Sequence, residues 1–276
     1  MARCARRACG RWRPNALAHR ARLGVAFDGR WFCGAKCLEI EAQYLLSEVR
    51  RQDAWLAPPA LPVGRLLVQR QAVSTERLEA ALHAQRHTGR RLGAELIAMG
   101  AVAPEHVVRA LAAQAGVGCV LALDPARVAD APGGLAAETV QVLRVVPFEA
   151  SAAQQRMAVA CESPLPRSAL AALREMTGWR MEPFVVPDAL LDRLVLAYGT
   201  ASSAPGAGHR PLRSLADAAS RIAVAAERGL AHAMQSVRCE SYIWVRLRGH
   251  GHAEDLMITL DAEREETSWQ AAPTRH

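Results

Sequence analysis

Lysine is almost missing from this chain: of 34 basic residues only Lys36 is one. A Walker A loop needs a lysine to reach nucleotide phosphates, and Lys36 sits inside a cysteine-bearing segment. A nucleotide-hydrolysing motor is therefore not expected. Aromatic residues make up 5% of the chain, while Ala and Leu dominate an apolar half, which favours helices over sandwiches or barrels. No apolar run approaches the ~20 residues that cross a bilayer. The start, MARCARRACGRWRP, has arginines with no apolar stretch behind them, so a signal peptide is not expected and the chain is expected in the cytoplasm. The nine histidines show no ligand spacing beside a carboxylate, and His250 with His252 falls in a turn. An enzyme has little support.

The charge present is uneven. The net +7 belongs to residues 1–51, which hold 11 Arg/Lys against 4 Asp/Glu, whereas the rest hold 23 of each. Such a segment can meet nucleic acid, anionic lipid or an acidic partner. DAWLAPPALP (53–62) marks a linker over 52–61, and TASSAPGAGHRP reads as another over 200–211. They leave a basic cysteine segment (1–51), a central body (62–199), a C-terminal piece (212–262) and a polar tail (263–276). The C-terminal piece opens with an amphipathic helix through LRSLADAASRIAVAAERGLAHAM. SYIWVRLR and EDLMITL then alternate around Gly249 and Gly251 as a hairpin does.

Self-comparison finds a 29-residue period. PVGRLLVQRQAVSTERLEAALHAQ (62–85) is repeated as RLGAELIAMGAVAPEHVVRALAAQ (91–114), with Gly64 on Gly93, Leu67 on Leu96, Leu82 on Leu111 and Gln85 on Gln114. Each copy reads as a short helix, a turn and a longer helix. Ser74 suits an N-cap, Pro104 a first helical turn, and Gly89 and Gly116 the stops. Leu78, Leu82 and Gln85 share one face, as do Val107, Leu111 and Gln114.

This tandem unit resembles the MshEN domain, the N-terminal domain of type II secretion and type IV pilus assembly ATPases, here without the motor. Arg91, Leu92, Gly93, Leu96, Ile97, Gly100, Val102, Val107, Leu111 and Gln114 match its pattern. Downstream, VLRVVPFEA, QQRMAVACESPLP, ALAALREMTGWRMEPFVVP and ALLDRLVLAYG resemble the smaller α/β half. The expected fold is α+β: a helical two-repeat subdomain (62–115) and a small α/β subdomain (116–199). A zinc-finger-like segment precedes them and a helix plus β-hairpin follows.

The resemblance implies cyclic di-GMP as a candidate ligand, with leucines against the bases and glycines admitting the main chain. Arg91 is the polar anchor, since guanidinium bonds bidentately to phosphate or guanine. The implied set is Arg91, Leu92, Gly93, Leu96, Gly100, Leu111 and Gln114 from the second copy, with Gly64, Leu78, Leu82 and Gln85 from the first. The first copy departs at Pro62, Val63 and Gln71, where the pattern has arginine, leucine and glycine.

Cys4, Cys9, Cys33 and Cys37 form two close pairs, and WFCGAKCLEIEAQ resembles the second half of treble-clef zinc fingers. Four thiolates so spaced can close a tetrahedral Zn²⁺ site, with His19 as a substitute ligand; redox or inert thiols are the other reading. Cys119, Cys161 and Cys239 read as core residues. Two functions follow. One is a non-catalytic sensor or adaptor that reads cyclic di-GMP or docks a secretion or pilus component. The other is a zinc-finger nucleic-acid binder with this domain as its input, for which Trp12, Trp31 and Phe32 stand among arginines.

Overall fold

The computed structural model describes residues 1–14, 24–51, 61–129, 135, 137–201, 212–239 and 242–260. His19 and the tail 263–276 lie outside them. So do both linkers, apart from Leu61 and from Thr200 and Ala201, which end a helix.

The chain opens with β1 (Ala2–Arg3) paired antiparallel to β2 (Trp12–Arg13), then β3 (Val25–Phe27) paired to β4 (Arg30–Phe32). Helix α1 (Ala35–Arg51) follows, burying Cys37, Leu38, Ala42, Leu46 and Val49. Their spacing of three and four places them on one stripe.

The two sequence copies fold as the spacing predicts. The first gives α2 (Val63–Gln69) and α3 (Thr75–Thr88); the second gives α4 (Leu92–Ala98) and α5 (Pro104–Ala115). Ser74 Oγ accepts the Arg77 amide at 3.3 Å, Pro104 opens α5, and Gly89 and Gly116 end the long helices in the left-handed conformation. The short helix of each copy packs on the long helix of the other. Leu67, Ala81, Leu96 and Ala110 fill the core between them at 0% exposure, so neither copy can bury its apolar face alone.

The α/β part adds β5 (Gly118–Cys119), α6 (Ala126–Ala129), α7 (Ala137–Leu143), β6 (Val145–Ser151), β7 (Arg156–Cys161), α8 (Arg167–Thr177), β8 (Arg180–Val185) and α9 (Asp188–Ala201). Its strand order is β5-β8-β7-β6, with β6 antiparallel and the others parallel. Val159, Leu173, Leu191 and Leu194 are among its buried core.

At the C-terminus come α10 (Leu215–Glu227), β9 (Ala233–Cys239), β10 (Tyr242–Arg248) and β11 (Ala253–Thr259). The expected hairpin is β10–β11, but β9 makes it a three-stranded sheet of order β11-β10-β9. The expected helix through Met234 ends at Glu227. Gly229 adopts φ 71° just beyond it, and pairing with β10 overrides the helical preference of Ala233 and Met234.

The chain divides into two compact units, Trp55–Gly206 and the combined ends Met1–Ala54 with Ala207–His276. Read from sequence, the two ends are separate pieces; in the structure they share one core. Phe27, Phe32, Leu38 and Leu46 from the front are buried with Ala218, Ile222, Ile243 and Val245 from the back, and α1 packs along α10. Asp28 ties the halves further. Its amide donates to the His232 carbonyl at 2.8 Å, and its carboxylate accepts the Met234 amide at 3.0 Å. Burial pushes its carboxyl above the usual range.

Candidate functional site

The repeat residues divide by what each side chain touches. A methyl added at Gly64 would lie 2.9 Å from Leu78 Cδ1 and 3.2 Å from Leu92 Cδ2; at Gly93 it would lie 2.7 Å from Val107 Cγ1. These two glycines therefore let the helices approach, and Gly64, Leu78 and Leu92 meet at one point. Val107 is buried in the same core as Leu96. Leu96 was expected against a ligand, but its full burial makes it a core residue with no free surface. Gly100 has open space around it and φ 62°, so its task is the turn after α4. Gln71, in the same turn of the first copy, is held at φ 58°; a side chain there costs roughly 1–2 kcal/mol.

The two glutamines brace the pair reciprocally. Gln85 Nε2 donates to the Arg90 carbonyl at 2.9 Å, the residue before the second copy. Gln114 Nε2 donates to the Leu61 carbonyl at 2.7 Å, the residue before the first. The two copies are thus related by an exchange of equivalent contacts. Arg91 and Pro62 occupy the equivalent N-cap positions of α4 and α2, with φ, ψ of −65°, 142° and −60°, 142°. Leu82 is 40% exposed, and Leu78, Leu92 and Leu111 are half-buried around the core.

Arg91 reaches out of the repeats to the α/β part. Its guanidinium pairs with Glu162 at 3.1 Å, and its side chain remains 64% exposed. Glu162 also holds Arg144 at 2.9 Å, and Arg144 holds Asp192 of α9 at 2.9 Å. Asp188, on the first turn of α9, has its carboxyl raised by burial and by Glu162. Sequence reasoning missed this chain of charges because Arg91 and Glu162 are 71 positions apart.

In the other unit, the four predicted cysteines converge. Their sulfurs all lie within 4.8 Å of one another, with Cys9–Cys33 and Cys33–Cys37 at 3.5 Å and Cys9–Cys37 at 3.7 Å. A tetrahedron of ~2.3 Å zinc–sulfur bonds has edges of ~3.8 Å, so the set fits that metal. Cys4 follows β1, Cys9 closes a turn on the Arg6 carbonyl at 3.1 Å, and Cys37 starts α1 on the Gly34 carbonyl at 3.1 Å. Burial pushes Cys33 up to about 12, while the Arg11 backbone amide lowers Cys9 to about 7. Arg6 Nη1 lies 3.8 Å from Cys37 Sγ and supplies a cation beside the cluster. No other group of three such ligands occurs among the described residues.

Of the remaining thiols, Cys161 and Cys239 are buried as expected, and burial lifts Cys161 to about 12. Cys119 is only half-buried, because β5 is a sheet edge. Trp31 and Phe32 are core residues, whereas Trp12 is 57% exposed. His250 stacks on His232 with ring centroids 4.8 Å apart.

No protein-family model matches the chain, and no curated protein matches it. Among solved structures it is similar to one of MshE with cdg, at 29% identity over 50% of this chain and 99% of that one, with a TM-score of 0.43. It is also similar to the N-terminal domain of XpsE in two crystal forms, at 20% and 21% identity over 49% of this chain and 92% of each, with TM-scores of 0.38 and 0.31. Each likeness extends over about half of this chain. No helix among the described residues is long and apolar enough to cross a membrane.

Proposed function

We propose that this chain is a non-catalytic regulatory or adaptor protein whose repeat pair receives cyclic di-GMP and signals to a secretion or pilus component. Its second unit is held by one structural Zn²⁺ on Cys4, Cys9, Cys33 and Cys37. The observation that carries the reading is the reciprocal bracing of the two copies. A cyclic dinucleotide has two equivalent halves, so its natural receptor presents two equivalent surfaces. Leu78, Leu82, Leu92 and Leu111 offer the apolar part and Arg91 the cation.

The Arg91–Glu162 pair gives the ligand something to change. An exposed ion pair contributes about 0–1 kcal/mol, less than a charge-assisted bond to phosphate or guanine at about 1.5–3 kcal/mol. Once Arg91 turns to the ligand, Glu162 has lost one of its two cations, so its pairing with Arg144, and that of Arg144 with Asp192 of α9, readjusts. Occupancy of the repeats is thereby transmitted to the position of α9. The metal supplies no chemistry here beyond closing the cysteine turn.

Calorimetric titration of three proteins tests the ligand. The natural chain is expected to bind cyclic di-GMP saturably, and Arg91→Ala to bind about ten-fold more weakly or worse. Pro62→Arg is expected to strengthen binding by a similar factor, because the backbone at Pro62 already has the conformation of Arg91. Saturable binding indifferent to Arg91 would move the site elsewhere. Absence of binding in all three would leave a scaffold for protein docking only.

A further inference from the structure

We infer that the basic turn beside the cysteine cluster is a binding site for single-stranded nucleic acid, with Trp12 as the platform on which a base stacks. This goes beyond the reading of the repeats and concerns the other unit.

Trp12 is 57% exposed, although Trp31 and Phe32 nearby are core. It stands directly opposite Arg3 across the β1–β2 ladder, so indole and guanidinium share a face. Arg11 and Arg13 flank it in sequence. A cleft of about 610 Å³ opens here, lined by Cys9, Gly10, Arg11, Trp12, Arg13 and Cys33. No acidic residue precedes Asp28 in the chain. Among the described residues, Arg3, Arg7, Arg11 and Arg13 have no salt-bridge partner, whereas Arg30, Lys36 and Arg51 pair with Glu41, Glu39 and Glu48. The cations of the turn are therefore available, whereas Arg30, Lys36 and Arg51 are neutralised.

The turn is also held in place. The Cys4 amide donates to the Arg11 carbonyl at 2.8 Å, and Cys4 and Cys9 anchor both of its sides to Cys33 and Cys37. A rigid, exposed indole ringed by arginines suits an unstacked base with phosphates on either side. Duplex is disfavoured, because the helix that starts at the cluster, α1, pairs Lys36 and Arg51 with its own Glu39 and Glu48 and so offers no basic face to enter a groove. A lipid surface is disfavoured because Trp12 brings little other apolar surface with it; an amphipathic anchor needs an apolar face.

The test uses the full chain with its zinc content measured on the same sample, so loss of metal and loss of the site are separable. Fluorescence anisotropy follows labelled oligo-dT and oligo-U of about ten nucleotides, at ~50 and ~200 mM salt. Both Trp12→Ala and Trp12→Phe should keep the zinc and the fold, since the side chain is exposed. Trp12→Ala is expected to weaken binding about ten-fold, and Trp12→Phe to recover most of it. Arg11→Ala with Arg13→Ala should lower the salt slope by about 1.4, at ~0.7 per single-strand phosphate contact. Trp12-dependent binding of either oligomer supports the site, and the tighter one names the strand. Equal affinity in Trp12→Ala, tighter binding to duplex of the same length, binding to anionic vesicles in place of oligomers, or no binding at ~50 mM salt would each overturn it.

Discussion

Removing the proposed zinc is expected to destabilise both chain ends together while leaving residues 62–199 folded. Four thiolates brought within 4.8 Å repel once ionised, and the turn carrying Cys4 and Cys9 has almost no apolar core of its own. Metal binding to such sites is worth about 10–16 kcal/mol, comparable with the whole stability of a domain at about 5–15 kcal/mol. The shared core makes the effect reach across the sequence. Phe27 and Phe32 share one buried core with Ile222, Ile243 and Val245, so loosening β3 and β4 is expected to reach α10 and the sheet. Hydrogen exchange with and without a strong chelator reads this directly, with protection expected to fall in 24–51 and in 215–259 alike. Cys37→Ser should act in the same direction. Zinc below a few tenths of an equivalent in fresh reduced protein, or unchanged protection in β9–β11, would contradict the clamp.

Leu46→Ala is expected to cost about 2–5 kcal/mol, all of it in the unit made from the two ends. Leu46 is 0% exposed on the buried stripe of α1, the helix that packs along α10, so the truncation leaves a cavity in the shared core. At ~4–8 °C per kcal/mol for a domain of this size, the corresponding calorimetric transition should fall by about 10 °C or more. The transition of the central unit should not move. A loss shared by both transitions would mean that the chain unfolds as a single body and that Leu46 serves all of it.

Much of the repeat was legible in the sequence because its signals are local. The 29-residue period, the Ser74 cap and the Gly89 and Gly116 stops each act within one helical turn. The cysteine cluster was legible because two close pairs of a rare residue specify few arrangements. The joined ends were not. Asp28 and Met234 are 206 positions apart, and a contact at that distance leaves no periodicity for the sequence to show. Strand β9 was hidden for a different reason: its residues, AMQSVRC, follow a helical run and do not alternate apolar with polar. The roles of Gln85, Gln114 and Gly100 also needed coordinates, since a motif states which residues recur and not whether they serve a ligand or a backbone carbonyl. Trp12 and Trp31 both stand on short strands among arginines, and only the coordinates show that one is exposed and the other buried.

If the paired repeats are the receptor, hydrogen exchange of the intact chain at saturating cyclic di-GMP will register the ligand there. Exchange is expected to slow at Leu78–Gln85 and Arg91–Gly93, with a smaller change at the start of α9 through Glu162, Arg144 and Asp192. Unchanged exchange throughout 62–115 at a ligand concentration that saturates any binding signal, or protection confined to the cysteine-bearing unit, would contradict it.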